Sequence, residues 1–404
     1  MKKLKIIYKT PHPPPFSYFY RMAKLINPEV FKQFFKSGQV GGILLLICVA
    51  ISLVIANGPA KESFETFLGA KLGFGSVNYS ILAWINDMLM AIFFLLVGLE
   101  IKRELIEGEL SSIKSAALPV IAALGGMLVP ALIYTLFNKG TATSGGWGIP
   151  MATDIAFALA LIAMLGKNVP PSLKIFLAAL AIVDDLGAIL VIAVFYTNQI
   201  HFQYLYFAAG IMALLTAMNY FGVRNLLFYL IPGILLWYCI HHSGIHATIA
   251  GVLLAFTIPT NETTISSPLE KLEHALTIPV NYLIMPIFAL ANTNIHFQKE
   301  MLVNLVSPMG LGIIIGLLAG KTIGITFFSW LAVKSRWANL PSGASWKHIM
   351  GLGMLAGIGF TMSIFIAMLS FGDIKLIAEA KFAILTASIL SGLLGFTFLK
   401  SVKK

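Results

Sequence analysis

Charge is scarce in this chain: Asp, Glu, Lys and Arg make up only 11% of its 404 residues, against about 25% in ordinary globular domains. So few charges could not keep a soluble surface of this size in water. The charges present crowd between long apolar stretches, the pattern of a polytopic helical membrane protein. The short segments of alternating polarity that mark a β-barrel are missing. Cysteine is nearly absent too. Cys48 and Cys239 both lie in apolar stretches, so neither a disulfide framework nor thiol chemistry is indicated. There is no Walker motif, nucleophile elbow or haem motif. Gly351-x-Gly353 and Gly357-x-Gly359 follow no strand, and His242 and His246 are separated by Gly244 with no acid nearby, unlike an HExxH zinc site. No enzymatic chemistry and no cofactor are therefore expected.

What is present is apolar sequence, 58% of the chain. Runs long enough to cross a bilayer stand at about 40–57, 81–100, 116–137, 147–165, 173–196, 202–221, 224–241, 244–259, 276–293, 308–333, 347–371 and 379–399. The expectation is an all-α multi-pass protein of about twelve membrane helices. Basic residues test that count. Twelve spans place 21 of the 28 Lys and Arg residues on the side of the N-terminus and six on the other, with Lys321 inside a span. Such a bias puts both termini in the cytoplasm. The net charge of +11 is thus a topology signal, and no nucleic acid is expected as a partner. Residues 1–37 read as a basic cytoplasmic N-terminal tail that is not cleaved, and residues 38–404 as the membrane domain. The outside connection 58–80, with Gly69, Gly73 and Gly75, suits either a short hairpin on the membrane surface or a plain polar loop.

Asp184 and Asp185 stand side by side in the apolar run 175–195. One ionised carboxylate at mid-membrane depth costs roughly 2.5–3.5 kcal/mol on insertion scales. Asp87, Asp154 and Lys321 also fall well inside predicted spans, and the five together would cost on the order of 13 kcal/mol if left charged and unpaired. They must pair, neutralise or face water. Consecutive helical residues point about 100° apart, so the two aspartates line neighbouring faces of one cavity, one turned to a cation and the other to Lys321. Such a cluster titrates as a unit. The bland alternatives are a permanently protonated carboxyl pair, a purely structural Lys321, and a packing or vestibule role for Asp87.

Asp154 follows Gly148, Pro150 and Thr153 in a weakened helix start, and 351–363 holds four glycines in nine residues. Paired interruptions in the two halves of a transporter point to an ion site built from unwound helices, where a cavity satisfies the freed backbone groups. Gly312, Gly316, Gly320 and Gly324 make three overlapping small-xxx-small steps, a signal of close helix contact.

In Trp84-Ile-Asn-Asp87, Phe94 through Glu104, Ala152-Thr-Asp-Ile-Ala-Phe157, Ala181-Ile-Val-Asp-Asp-Leu-Gly-Ala-Ile189, Ser243-Gly-Ile-His-Ala-Thr248 and Gly357-Ile-Gly-Phe-Thr-Met-Ser363, the chain resembles the NhaA family of bacterial sodium–proton antiporters, which are inverted-repeat transporters. The resemblance runs from about residue 38 to the end. It implies inverted repeats over about 116–196 and 308–400, with two discontinuous helices crossing at mid-membrane. It also implies a multi-pass protein of the inner membrane, commonly a homodimer joined through 58–80, that exchanges cytoplasmic Na+ or Li+ for external H+. That exchange would be electrogenic and activated by alkali. Asp184 and Asp185 would carry the cation and proton chemistry, with Thr153 and Asp154 beside them and Lys321 in support. Glu100, Arg103, Glu104, His246, Glu273 and His274 fall at the family's pH-sensing positions. Three departures stand out: the long basic tail, Thr322 where proline is expected after the lysine, and a missing histidine near Thr277.

The expected mechanism is competitive exchange, with the cation on Asp185 and Asp184 in a switchable contact with Lys321. A proton-coupled carrier of another solute and a cation channel are the alternatives. An intramembrane aspartyl protease would carry its two aspartates on different helices, not adjacent on one.

Overall fold

A chain crossing hydrocarbon must satisfy its backbone within each segment, which leaves helix as the solution for the apolar runs. The computed structural model describes residues 28–75, 77–197, 200–260 and 267–402. Residues 1–27 of the expected tail lie outside the described residues, and the first helix, α1 (Pro28–Ala56), already includes the rest of it. After α1 the chain turns by 110° into the short helix α2 (Lys61–Gly69). An antiparallel hairpin follows, β1 (Lys71–Phe74) and β2 (Val77–Ser80), with Lys71 opposite Ser80. The 58–80 connection is thus helix plus hairpin, not a plain loop.

The remaining long helices are α3 (Ile81–Ile106) and α4 (Ile113–Asn138), then α5 (Ile155–Met164) entered through a 3₁₀ segment, Ser144–Met151. Next come α6 (Pro171–Phe195), α7 (Phe202–Tyr220), α8 (Leu227–Ser243) and α9 (Ile249–Thr257). The chain ends with α10 (Pro268–Asn292), α11 (Pro308–Lys334), α12 (Trp346–Ala356), α13 (Phe360–Ser370) and α14 (Ile374–Ser401). Each of the twelve apolar runs holds helix. Among the described residues eight helices are long and apolar enough to cross a membrane, or ten when each bent pair counts as one span. The run at 244–259 yields only the nine-residue α9. At 1.5 Å per residue that is about 14 Å, half the hydrocarbon thickness.

Among the described residues three helices contain a π turn: Trp84–Leu89 in α3, Val280–Ile284 in α10 and Gly316–Gly320 in α11. Such turns add a residue to one loop of the helix and concentrate at functional sites. In α10 the turn follows Pro279, which lacks an N–H and crowds the turn before it.

The glycine run of α11 packs as the spacing suggests. Side chains added at Gly312, Gly316 and Gly320 would meet Tyr134, Pro150 and Pro130. A Cβ at Gly324 would collide with the backbone carbonyl of Gly125 on α4, and one at Gly125 with that of Gly324. We expect Gly324→Leu to lower stability by about 1–3 kcal/mol through overpacking, read as earlier thermal unfolding in detergent. Gly210→Leu on α7, where an added Cβ meets nothing within 4 Å, is expected to leave unfolding unchanged.

Candidate functional site

Two broken helices meet at the centre of the site. The 3₁₀ segment ends in the extended residues Ala152–Asp154 before α5, and α12 bends by 47° into α13 across Gly357–Gly359. The second break is possible because Gly357 passes the carbonyl of Leu317 too closely for any Cβ. The breaks are tied together by backbone. Asp154 N donates to Ile358 O at 2.6 Å.

Asp154 links the helix starts beyond both breaks. As N-cap of α5 its Oδ1 accepts from Phe157 N at 3.1 Å. Its Oδ2 accepts from Thr361 N at 3.2 Å and from Thr361 Oγ1 at 2.5 Å, at the start of α13. A carboxylate at two helix N-termini is favoured by both dipoles. Thr361 lies inside a motif singled out in the sequence, but nothing there marks its hydroxyl as the partner of Asp154.

Asp184 on α6 faces the lysine. Lys321 Nζ donates to Asp184 Oδ2 at 2.5 Å, and both side chains are wholly buried. Thr153 Oγ1 stands 2.8 Å from the same oxygen and 2.9 Å from Ala356 O at the end of α12, and its single proton is shared between them. Lys321 reaches this point from the residue after the π turn of α11, its stem passing Gly126 of α4. Thr322, at the position where the resemblance predicts proline, returns its hydroxyl to Leu318 O at 2.7 Å.

Asp185, one residue on, points elsewhere. It lines a cavity of about 80 Å³ together with Glu100, Asp154, Asn281 and Thr361, room for several waters or a partly hydrated ion. It is 1% exposed. No Lys, Arg or His among the described residues makes an ion pair with it. Asp184 Oδ1 and Asp185 Oδ1 are buried without a hydrogen-bond partner in the protein, an arrangement that calls for an explanation at this depth. The adjacent pair therefore has unequal settings, one carboxylate neutralised by a lysine and the other facing a cavity without a fixed cation. Such a centre can hold one mobile positive charge, as a proton or as a small hard cation.

The remaining singled-out residues divide. Arg103 lies 3.4 Å from Glu104 and 3.4 Å from Glu273, and so joins the end of α3 to α10. Glu100, one turn before Arg103, opens onto the cavity. His274 is exposed beside Glu273, and Thr277 hydrogen-bonds back to Glu273 O. His246 has other neighbours. It bonds Thr248 at 3.0 Å and meets the ring of Phe365 edge-on. Asp87, in the π turn of α3, lies 3.9 Å from His241 and is one-quarter exposed. Lys102, which the sequence places among the loop charges, is buried in α3 and donates to Phe256 O and Ile258 O at the end of α9. A cation there meets the negative end of that helix dipole.

The profile of the family described as Na+/H+ antiporter 1 matches residues 32–399. The chain is similar to Na(+)/H(+) antiporter NhaA 2 of Flavobacterium johnsoniae, with 63% identity over 96% of this chain and 97% of that one. It is similar at 50% identity to the Na(+)/H(+) antiporter NhaA of Flavobacterium psychrophilum, over 93% of this chain and 97% of that one. The NhaA of Escherichia coli O1:K1 / APEC is also 50% identical, over 91% of this chain and 97% of the relative.

Proposed function

The chain belongs to the Na+/H+ antiporter 1 family, and from that membership we propose that it exchanges cytoplasmic Na+ or Li+ for external protons across the bacterial inner membrane, with Asp185 and Asp184 as the exchanging groups. It is a multi-pass Na+/H+ antiporter. The observation that carries the site assignment is the unequal carboxylate pair: Asp184 sits 2.5 Å from Lys321, while Asp185 lies on the cavity with no fixed cation.

A carboxylate buried without a counter-charge must be neutralised before its surroundings can rearrange. At Asp185 a proton or Na+ can do this, but not both at once, so the two compete. Thr153 and Asp154 hold the neighbouring backbone, and Lys321 neutralises Asp184 while the ion is away. When Na+ leaves, Asp185 takes up one proton and Lys321 takes up a second as it returns to Asp184, so two protons exchange for one Na+ and the cycle is electrogenic. Acid fills the site with protons, and alkali frees it. Glu100 lines that cavity, Arg103 pairs with Glu104 and Glu273 one turn further on beside His274, and His246 stands apart; we assign these residues the tuning of this response.

The two groups α4–α6 and α11–α14 each set a broken span between long helices, and their breaks cross. We read them as inverted repeats, which lets the site face either side by rocking. With both termini cytoplasmic, the hairpin lies outside. Its Phe74 is 94% exposed, which suits the homodimer contact that we assign to residues 58–80.

Competition predicts a specific pH dependence. In proteoliposomes the apparent KM for Na+ rises as pH falls from 9 to 6, while the maximal rate at saturating Na+ holds. Protonated carboxyls exclude the cation and ionised ones admit it, so the affinity loss belongs to the acid side. A falling maximal rate at constant KM would overturn the competitive reading.

A further inference from the structure

The cavity at Asp185 is closed on one side by the π turn of α10. Val280, Asn281 and Met285 line it there, opposite Gly41 and Gly42 of α1. A Cβ added at Gly41 would stand 3.8 Å from the Asn281 Cβ, in ordinary contact, so α1 runs close beside that residue. The other walls are largely apolar, formed by Phe93, Leu96 and Leu159.

Two buried amides elsewhere in the bundle are anchored to protein. Asn292 donates to Asn86 Oδ1 at 2.7 Å, and Asn138 donates to Tyr134 O and Pro308 O. Among the described residues Asn281 makes no side-chain hydrogen bond, although it shares its cavity with three carboxylates, Glu100, Asp154 and Asp185. A polar side chain among apolar walls, on a helix turn that departs from regular geometry and with no protein partner, is placed for a ligand.

Hard cations take carboxylate and amide oxygens alike, and ligand number and cavity size select among them. A neutral amide oxygen replaces a hydration water without adding charge, so it assists binding while letting the ion leave. We propose that Asn281 is a selectivity-determining residue of the exchange site, its Oδ1 supplying a neutral ligand to the cation held by Asp185 and favouring Na+ over Li+. The smaller Li+ is satisfied by fewer oxygens and loses less when one is withdrawn. The inference rests on the assignment of Asp185 as the ion-binding carboxylate.

The test measures apparent KM for Na+ and for Li+ at one alkaline pH, in proteoliposomes of wild type, Asn281→Ala, Asn281→Ser and Asp185→Asn. Asn281→Ala is expected to raise the Na+ KM roughly tenfold and the Li+ KM less, so the ratio of the two shifts toward Li+. Asn281→Ser, which keeps one oxygen, falls between, and it carries the test if the alanine variant is not monodisperse in detergent. A merely structural role would lower rates for both ions without moving the ratio. Equal KM changes for the two ions, or none, overturn the inference. The Asp185→Asn arm separates the two readings. If it still exchanges, the site assignment itself fails. If it is silent while the Asn281 variants keep the wild-type ratio, only the role of Asn281 fails.

Discussion

Asp185→Asn is expected to reduce Na+-driven collapse of an imposed pH gradient to the level of protein-free liposomes at every pH from 6 to 9. The substitution preserves shape and removes a buried carboxylate that faces the cavity with no fixed counter-ion and, unlike Asp154, with an oxygen that no protein group hydrogen-bonds. An amide can still offer an oxygen to Na+, but it has no negative charge to balance the ion and no proton to give back. Both halves of the exchange are lost together. Folding is expected to survive, because the change removes a buried charge instead of stranding one, and gel filtration should give the wild-type elution. An Asp185→Asn protein that still collapses the gradient on Na+ addition would place the ion elsewhere.

Lys321→Ala is expected to act on stability as well as exchange. The lysine and Asp184 are a wholly buried pair. Removing one member of such a pair leaves an uncompensated charge and costs about 3–5 kcal/mol. Thr153, whose proton is shared with Ala356 O, is a weak substitute. The deficit should be largest at alkaline pH, where Asp184 is ionised, and should shrink as acid supplies a neutralising proton. Thermal unfolding in detergent at pH 8.5 and pH 5 reads this directly. The double variant Asp184→Asn with Lys321→Gln is expected to recover most of the lost stability at pH 8.5 without recovering exchange. If Lys321→Ala unfolds like wild type at pH 8.5, the pair does not hold the site together.

Much of the site is legible in the chain because unpaired charge in an apolar run is conspicuous: Asp154, Asp184, Asp185 and Lys321 can be picked out one by one. Their partners cannot. Thr361, the closest neighbour of Asp154, is one threonine among many, and it gains its place only where two broken helices cross. Lys102 reads as a loop charge because hydropathy places span ends loosely, whereas the structure buries it against the end of α9. The π turn that carries Asn281 has no clear signature beyond the preceding Pro279. Run length also overstates α9, since an apolar stretch records partitioning into hydrocarbon and not where a helix stops.

The sequence by itself determined the membrane class, the location of the helices and the buried ionisable groups Asp154, Asp184, Asp185 and Lys321, because burial in hydrocarbon acts residue by residue and leaves its mark on composition. It also determined that Asp184 and Asp185 must face different directions, a consequence of helical geometry alone. Only the tertiary structure decided which direction belongs to which residue. That depends on where α11 brings Lys321 and where the cavity between α1, α3, α5 and α10 lies. These are contacts between segments up to 238 residues apart, whose pairing is set by packing across the whole bundle and not by any local pattern.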